Sequence, residues 1–348
     1  MESFDMEYVE KLLNEKKDQE AFDYCMEFAN DGDAEALIGS FYYNGDVVEK
    51  DYKKAAKWYK KSAYNGVSIA MRNLGVCYEF GQGKKKNLKK SVSWYTKAAK
   101  NGERNAMYLL GGCYQHGIGI ETNYKTAFTW YSKGAHQGDS AAMWALGNCY
   151  KEGIGVKQDK EKAFNWYSQS ADLDFSSAFL SLGLCYISGT GTKKDDVKAF
   201  MSFYKASLLG NVNAMFNIGL LYENGIGTEV DLNKAISFYR RAVEKGHKDA
   251  AKHLHKLERS MTINSELEEQ INKLTEQLRE KERESEARNQ DSMILQIRSM
   301  MNSMESRLTA RMDEISDTTN EINDNVKSLT DYIKNELPKK IASLRTEF

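Results

Sequence analysis

The chain has 348 residues, 41% of them hydrophobic and 28% charged, with a formal net charge of −1. That is the composition of a folded chain rather than a disordered one, and its near-neutral balance supplies no global pull toward nucleic acid or membrane. Twenty-five glycines against a single proline, Pro338, exclude collagen-like and proline-rich sequence and point to many helices separated by glycine turns.

The first 46 residues hold 13 acids and three bases. The opening run Met1-Glu2-Ser3-Phe4-Asp5-Met6-Glu7 is acidic and has no apolar core of signal length. No stretch of the chain reaches the roughly 18 consecutive apolar residues of a membrane span, so a cytoplasmic location is expected. Residues 1–30 read as a helical cap with Leu12, Leu13, Phe22 and Phe28 on its inner face.

From residue 31 the chain repeats itself every 36 residues, without insertion or deletion between Gly39 and Ala250. One column reads Gly39, Gly75, Gly111, Gly147, Gly183, Gly219; another reads Tyr42, Tyr78, Tyr114, Tyr150, Tyr186, Tyr222. An aromatic pair recurs as Trp58-Tyr59, Trp94-Tyr95, Trp130-Tyr131, Trp166-Tyr167 and Phe238-Tyr239, with Ser202-Phe203 in the fifth unit. Ala70, Leu74, Cys77 and Tyr78 fall at helical spacing and predict a first helix, with Gly75 leaving room for a second helix to approach. A Gly-x-Gly turn follows, as at Gly81/Gly83. Asp51, Asn87, Asn123, Asp159, Asp195 and Asp231 then stand where a helix start needs an N-cap acceptor. The second helix ends at Gly66, Gly102, Gly138, Gly210 or Gly246, where a left-handed residue is expected. One such pair cannot bury its own apolar face, whereas six stacked pairs build a continuous core. The fold predicted is all-α, an α-solenoid of stacked antiparallel helix pairs over residues 31–260, closed by the first helix of an unfinished seventh unit.

Four of the five cysteines, Cys77, Cys113, Cys149 and Cys185, share one repeated position and read as small buried residues. Stacked helices stand too far apart for that column to form disulfides. The histidines, His116, His136, His247, His253 and His255, make no metal-binding or catalytic spacing. The Gly-x-Gly turns are not the GxGxxG or GxxxxGK[ST] phosphate loops, and no HExxH or GxSxG occurs. No enzyme activity, cofactor or metal is expected.

Residues 261–348 contain no glycine, cysteine or tryptophan and carry 13 bases and 18 acids. Residues 261–292 read as a helical, charged linker: Leu267, Ile271, Leu274 and Leu278 step by four, three and four, and Arg279 to Asp291 is nearly all polar, a solvated helix or a flexible break. The pattern resumes at Met293, Ile297, Met300, Met304, Leu308, Met312 and Ile315, then Ile322, Val326, Leu329 and Ile333. Residues 293–348 therefore read as a long coiled-coil helix. If helical throughout, 262–337 would span about 114 Å. Leu308, Met312, Ile315, Ile322, Val326, Leu329 and Ile333 are the candidate oligomerisation seam.

The repeated pattern A-x3-LG-x2-Y-x2-G-x-G followed by A-x2-WY-x3-A-x2-G resembles the Sel-one-like repeat, a relative of the tetratricopeptide repeat. The resemblance covers roughly residues 31–255. It implies a right-handed superhelix, adaptor or scaffold roles in protein complexes, and an inner surface lined by the first helix of each pair. On that implied surface the columns that vary between units are candidates for binding: Arg72, Tyr108, Trp144, Asn148, Leu180, Leu184, Ile187, Phe216 and Leu220. Their character shifts from polar to apolar along the chain, which suits an apolar or amphipathic partner segment. Residues 47–100 hold 14 bases and three acids. That stretch reads first as a solvated face, with nucleic acid or an anionic membrane as the alternative partner. The expected partners are proteins, including further copies of the chain through the coiled coil.

Overall fold

In a computed structural model the described residues, 3–286 and 295–311, are helices joined by short turns, and no strand occurs among them. None of those helices is long and apolar enough to cross a membrane. The chain divides into two compact units: residues through Ile218 with Ile226–Thr228, and Gly219–Gly225 with the chain from Glu229.

The first unit opens with the cap, α1 (Met6–Asn14) and α2 (Asp18–Glu27). Val9, Leu12, Ala21, Phe22 and Cys25 bury against Ala34, Ile38 and Phe41 of α3 (Gly32–Asn44), with Leu13 and Phe28 packed at the edge. Next, α3 pairs with α4 (Tyr52–Tyr64), α5 (Ser68–Phe80) with α6 (Leu88–Lys100), and α7 (Arg104–His116) with α8 (Tyr124–His136). The series continues as α9 (Ser140–Glu152) with α10 (Lys160–Ala171) and α11 (Ser176–Ser188) with α12 (Asp196–Leu208). From α4 through α10, each second helix also packs on the first helix of the next pair, which makes the stack a solenoid.

The expected punctuation is in place. Asp51 Oδ1 accepts from the Lys53 and Lys54 N–H groups, and Asn87, Asn123, Asp159 and Asp195 each cap the N–H three residues on. The first helices end on glycines with positive φ, for example Gly81 at 76°. Two glycines are needed for reasons of space. A Cβ on Gly75 would lie 2.5 Å from Tyr95 Cε1, so the glycine is the seat of the second helix's tyrosine ring. A Cβ on Gly83, at φ +66°, would overlap the Tyr52 carbonyl, so this turn glycine presses one pair against the start of the preceding second helix. All five cysteines are free and buried, and burial pushes their thiols up to about 11 or 12.

The second unit comprises the last turns of α13 (Val212–Asn224), α14 (Leu232–Glu244), α15 (Lys248–Glu286) and the chain beyond. Tyr239 sits against Gly219 as its counterparts do, and α15 packs on α14 with Leu257 buried. α15 runs 39 residues without interruption, so the change in composition near residue 260 falls inside one helix. Along it Ile263, Leu267, Ile271 and Leu274 are half-buried and Leu278 is buried. Residues 295–311 are helical again. Arg298 lies 4.0 Å from Glu282, although 16 residues of straight helix would separate them by about 24 Å. The two helical stretches therefore lie side by side there, not end to end as one rod through 262–337 would. The second stretch turns Ile297, Met301, Met304 and Leu308 inward and leaves Met300 59% exposed. Met301, not Met300, continues the apolar stripe, because 297, 301, 304 and 308 keep to one helical face.

Candidate interaction surface

The second helices present a tyrosine to the first helices, and its hydroxyl is always given an acceptor. Tyr59 donates to Ser40 at 3.2 Å, Tyr95 to Glu79 at 2.6 Å, Tyr131 to Gln115 at 2.9 Å, and Tyr167 to Asn148 at 2.7 Å. In the second unit Tyr239 donates to Glu223 at 2.5 Å. Each acceptor lies 16 or 19 residues before its tyrosine, one helical turn apart on the same face of the first helix. Burial raises these phenols; Glu79 raises Tyr95 further, and Glu223 does the same for Tyr239. In the fifth pair Phe203 replaces the tyrosine, and the two acceptor slots hold Leu184 and Ile187. A pair without a hydroxyl has no buried donor to satisfy, and there the first helix is apolar.

This ladder changes the meaning of the varying columns. Asn148 is an acceptor in the ladder. Arg72 pairs with Glu103 at 3.5 Å and donates to Asn73, while Glu103 caps α7. Tyr108 leans on Tyr131 with ring centroids 5.9 Å apart. Trp144 donates through Nε1 to Ser181 Oγ at 3.0 Å and leans on Phe175, linking successive first helices. Leu180 packs at the edge of the fourth–fifth pair core, and Ile187 and Phe216 are half-buried. Leu184 stays 50% exposed, and Leu220, in the second unit, is half-buried. The four polar or aromatic members from the second to fourth pairs thus fasten helices together, and where the ladder lapses Leu180, Leu184 and Ile187 stand on one first helix, α11. Ser40, Glu79, Gln115 and Glu223 belong to the same varying columns, which the sequence alone marks as free for binding, and the structure makes them ladder acceptors instead. Their signal is a polar residue at one of two fixed offsets from each tyrosine.

The lysines also sort into two kinds. Lys54, Lys90, Lys162 and Lys198 lie over the rings of Tyr42, Tyr78, Tyr150 and Tyr186, and Lys61 and Lys97 over Trp58 and Trp94. These serve the fold. Lys53, Lys57, Lys85, Lys86, Lys89 and Lys100 are exposed and meet no carboxylate among the described residues. Lys84 is half-buried in the slot that Val48, Ile120 and Val156 fill elsewhere. With Lys50, Lys53 and Lys85 it lines a concavity of about 510 Å³, whose one acid, Asp51, is occupied in capping α4.

The comparisons with known proteins agree with this architecture. The Sel1 repeat model matches residues 32–67, 68–103, 104–139, 140–175, 178–211 and 212–247. A Sel1 repeat protein from Oxalobacter formigenes has a solved structure 34% identical to this chain. It covers 69% of this chain and 100% of its own, with a TM-score of 0.65. The protective antigen c5321 of uropathogenic Escherichia coli, which displays an SLR fold, is 33% identical. The match covers 68% of this chain but only 51% of the antigen, with a TM-score of 0.57. No curated protein matches the chain. Six successive repeats, each a capped helix pair seated on a glycine, place this chain in the Sel1 repeat family.

Proposed function

We propose that the protein is a non-enzymatic scaffold that holds a partner segment on its first helices and joins copies of itself through its C-terminal stripe. Sel1 repeat proteins are generally protein-interaction scaffolds and generally non-catalytic. The observation that carries the partner surface is the lapse of the tyrosine ladder in the fifth pair, which leaves Leu184 half in solvent beside half-buried Leu180 and Ile187. An apolar or amphipathic segment gains most there, because no ladder hydrogen bond has to be broken to bury those side chains. Affinity capture with the full chain and with Leu184→Glu plus Phe216→Glu tests it. A direct partner whose recovery falls by roughly tenfold in the variant supports the groove, and unchanged recovery of every partner ends it.

Oligomerisation rests on the apolar stripe that Leu308 carries toward the C-terminus. Met312, Ile315, Ile322, Val326, Leu329 and Ile333 lie outside the described residues. Sedimentation of the full chain beside Val326→Glu with Leu329→Glu tests it: a multimer dissociated by the pair is expected, and two equal monomer masses end the reading.

A second reading takes the lysine-lined concavity between the first and second pairs as part of a polyanion-binding face over residues 47–100. Lys84 favours it, as a charge in an apolar slot without a carboxylate partner among the described residues. Lys84→Val restores the residue type of the neighbouring units. The variant is expected to keep its fold while retention of RNA or of anionic vesicles falls and loses part of its salt dependence. Equal retention by the variant ends this reading.

A further inference from the structure

The outer face of α12 departs from every other second helix. Val197, Met201 and Leu208 are 58%, 58% and 64% exposed, and Tyr204 between them is exposed as well. Steps of four, three and four set these side chains in one stripe along the whole helix. The opposite face, Ala199, Phe203 and Ala206, is buried in the core. One period earlier the four positions are Glu161, Asn165, Ser168 and Asp172, and among all their equivalents in the other five second helices Tyr64 alone is hydrophobic. The stripe is therefore not a requirement of the repeat. Val197, Met201 and Leu208 gain little from the fold while more than half exposed, Tyr204 joins them with its ring stacked on Phe200, and a contiguous exposed patch of that kind marks a contact surface.

We propose that the outer face of α12 docks an amphipathic helix of another protein whose apolar stripe is flanked by carboxylates. A stripe three turns long with this spacing fits a second helix laid along it, side chains into grooves. The rim decides which helix. Lys193, Lys194, Lys198 and Lys205 border the stripe; Asp196 and Asp195 pair with Lys194 and Lys198, and Lys198 and Lys205 lie over the Tyr186 and Phe179 rings, which leaves Lys193 and Lys205 without a carboxylate among the described residues. The net rim is positive and calls for acidic flanks on the partner. A second copy fits less well: antiparallel pairing about a two-fold axis sets Lys198 of each copy against Lys205 of the other, like charge on like. This face is on second helices and does not depend on the groove of the first helices.

The test uses the full chain and two fluorescein-labelled synthetic helices of about five turns, with leucines at the same spacing and either glutamate or lysine flanks. The glutamate-flanked helix is expected to raise its anisotropy saturably and to bind roughly tenfold tighter than its lysine-flanked twin. Val197→Glu, Met201→Asn, Tyr204→Ser and Leu208→Asp together give α12 the outer face of α10, a set this scaffold already carries. That variant is expected to keep its helical circular dichroism and lose about tenfold or more in affinity. Lys193→Glu with Lys205→Glu is expected to reverse the preference between the two peptides. Equal binding by the grafted variant, or no binding of either peptide to the wild type, overturns the proposal. So does a fall in oligomer mass confined to the grafted variant, which would assign the face to a second copy.

Discussion

The Tyr167 hydroxyl donates to Asn148 Oδ1 at 2.7 Å and fastens the second helix of the fourth pair to the first. Asn148→Leu strands that buried hydroxyl and is expected to cost about 1–3 kcal/mol. Tyr167→Phe added to it removes the stranded donor and recreates the Phe203–Leu184 arrangement of the fifth pair. The double variant is expected to be more stable than Asn148→Leu alone in urea unfolding. Simple additivity of the two losses would show that the pair is not coupled.

Adjacent glycines on α7 separate spatial need from helix propensity. A Cβ on Gly111 would stand 2.6 Å from the Tyr131 ring, whereas a Cβ on Gly112 meets only the Tyr131 hydroxyl oxygen, at 3.7 Å. Gly111→Ala is expected to destabilise by about 1–3 kcal/mol through the forced shift of that ring. Gly112→Ala is expected to stabilise by up to about 1 kcal/mol. Thermal melts of the two variants should move in opposite directions.

Acid weakens the caps. Backbone N–H groups, Lys54 and Lys162 foremost, hold the carboxyls of Asp51 and Asp159 below their ordinary value; Lys198 and Lys234 do the same for Asp195 and Asp231. A folded-state value below the unfolded one gives stability that is present above the ordinary carboxylate range and lost as pH falls through the lowered value. Replacing all four by asparagine, the cap already used at Asn87 and Asn123, should leave a smaller drop in melting temperature between neutral pH and about pH 3. Asp139 runs the other way, because burial raises its carboxyl. Its contribution is fullest at low pH and declines as pH rises through the raised value. Asp139→Asn should therefore gain relative to wild type on going from acid to neutral pH.

The thiols report on the core. With values pushed to about 11 or 12 by burial, Cys25, Cys77, Cys113, Cys149 and Cys185 are expected to react slowly with a disulfide reagent near pH 8. All five should react at once in denaturant. A thiol that titrates rapidly in the native protein would contradict its burial.

Repetition made much of this fold legible before any coordinates. A cap at Asn87 and a left-handed Gly81 recur at a fixed distance in all six units and a buried Cys77 in four, so one physical reading explains every instance of each. Features that alternate were hidden. The ladder acceptor moves between two offsets, as with Asn148 and Gln115, so no single column displays it. Met300 and Met301 are adjacent and equally apolar, and only packing chooses between them. The stripe on α12 lies on a second helix, whereas the family resemblance implies binding on the first helices. Its sequence signal, Val197, Met201, Tyr204 and Leu208, is plain once the second helices are compared.

The turn at Gly83 has a consequence for how such a chain can change. Its backbone lies too close to the Tyr52 carbonyl to tolerate a side chain, and Gly119 makes the same approach to Leu88. Each junction is therefore a keyed joint that accepts only a neighbour in the same phase. Loss or duplication of a whole unit preserves every key, while a shift of even one residue spoils the joints on both sides. Evolution or a protein engineer can lengthen this solenoid in complete units, and can rewrite the outer face of any one of them without disturbing the next.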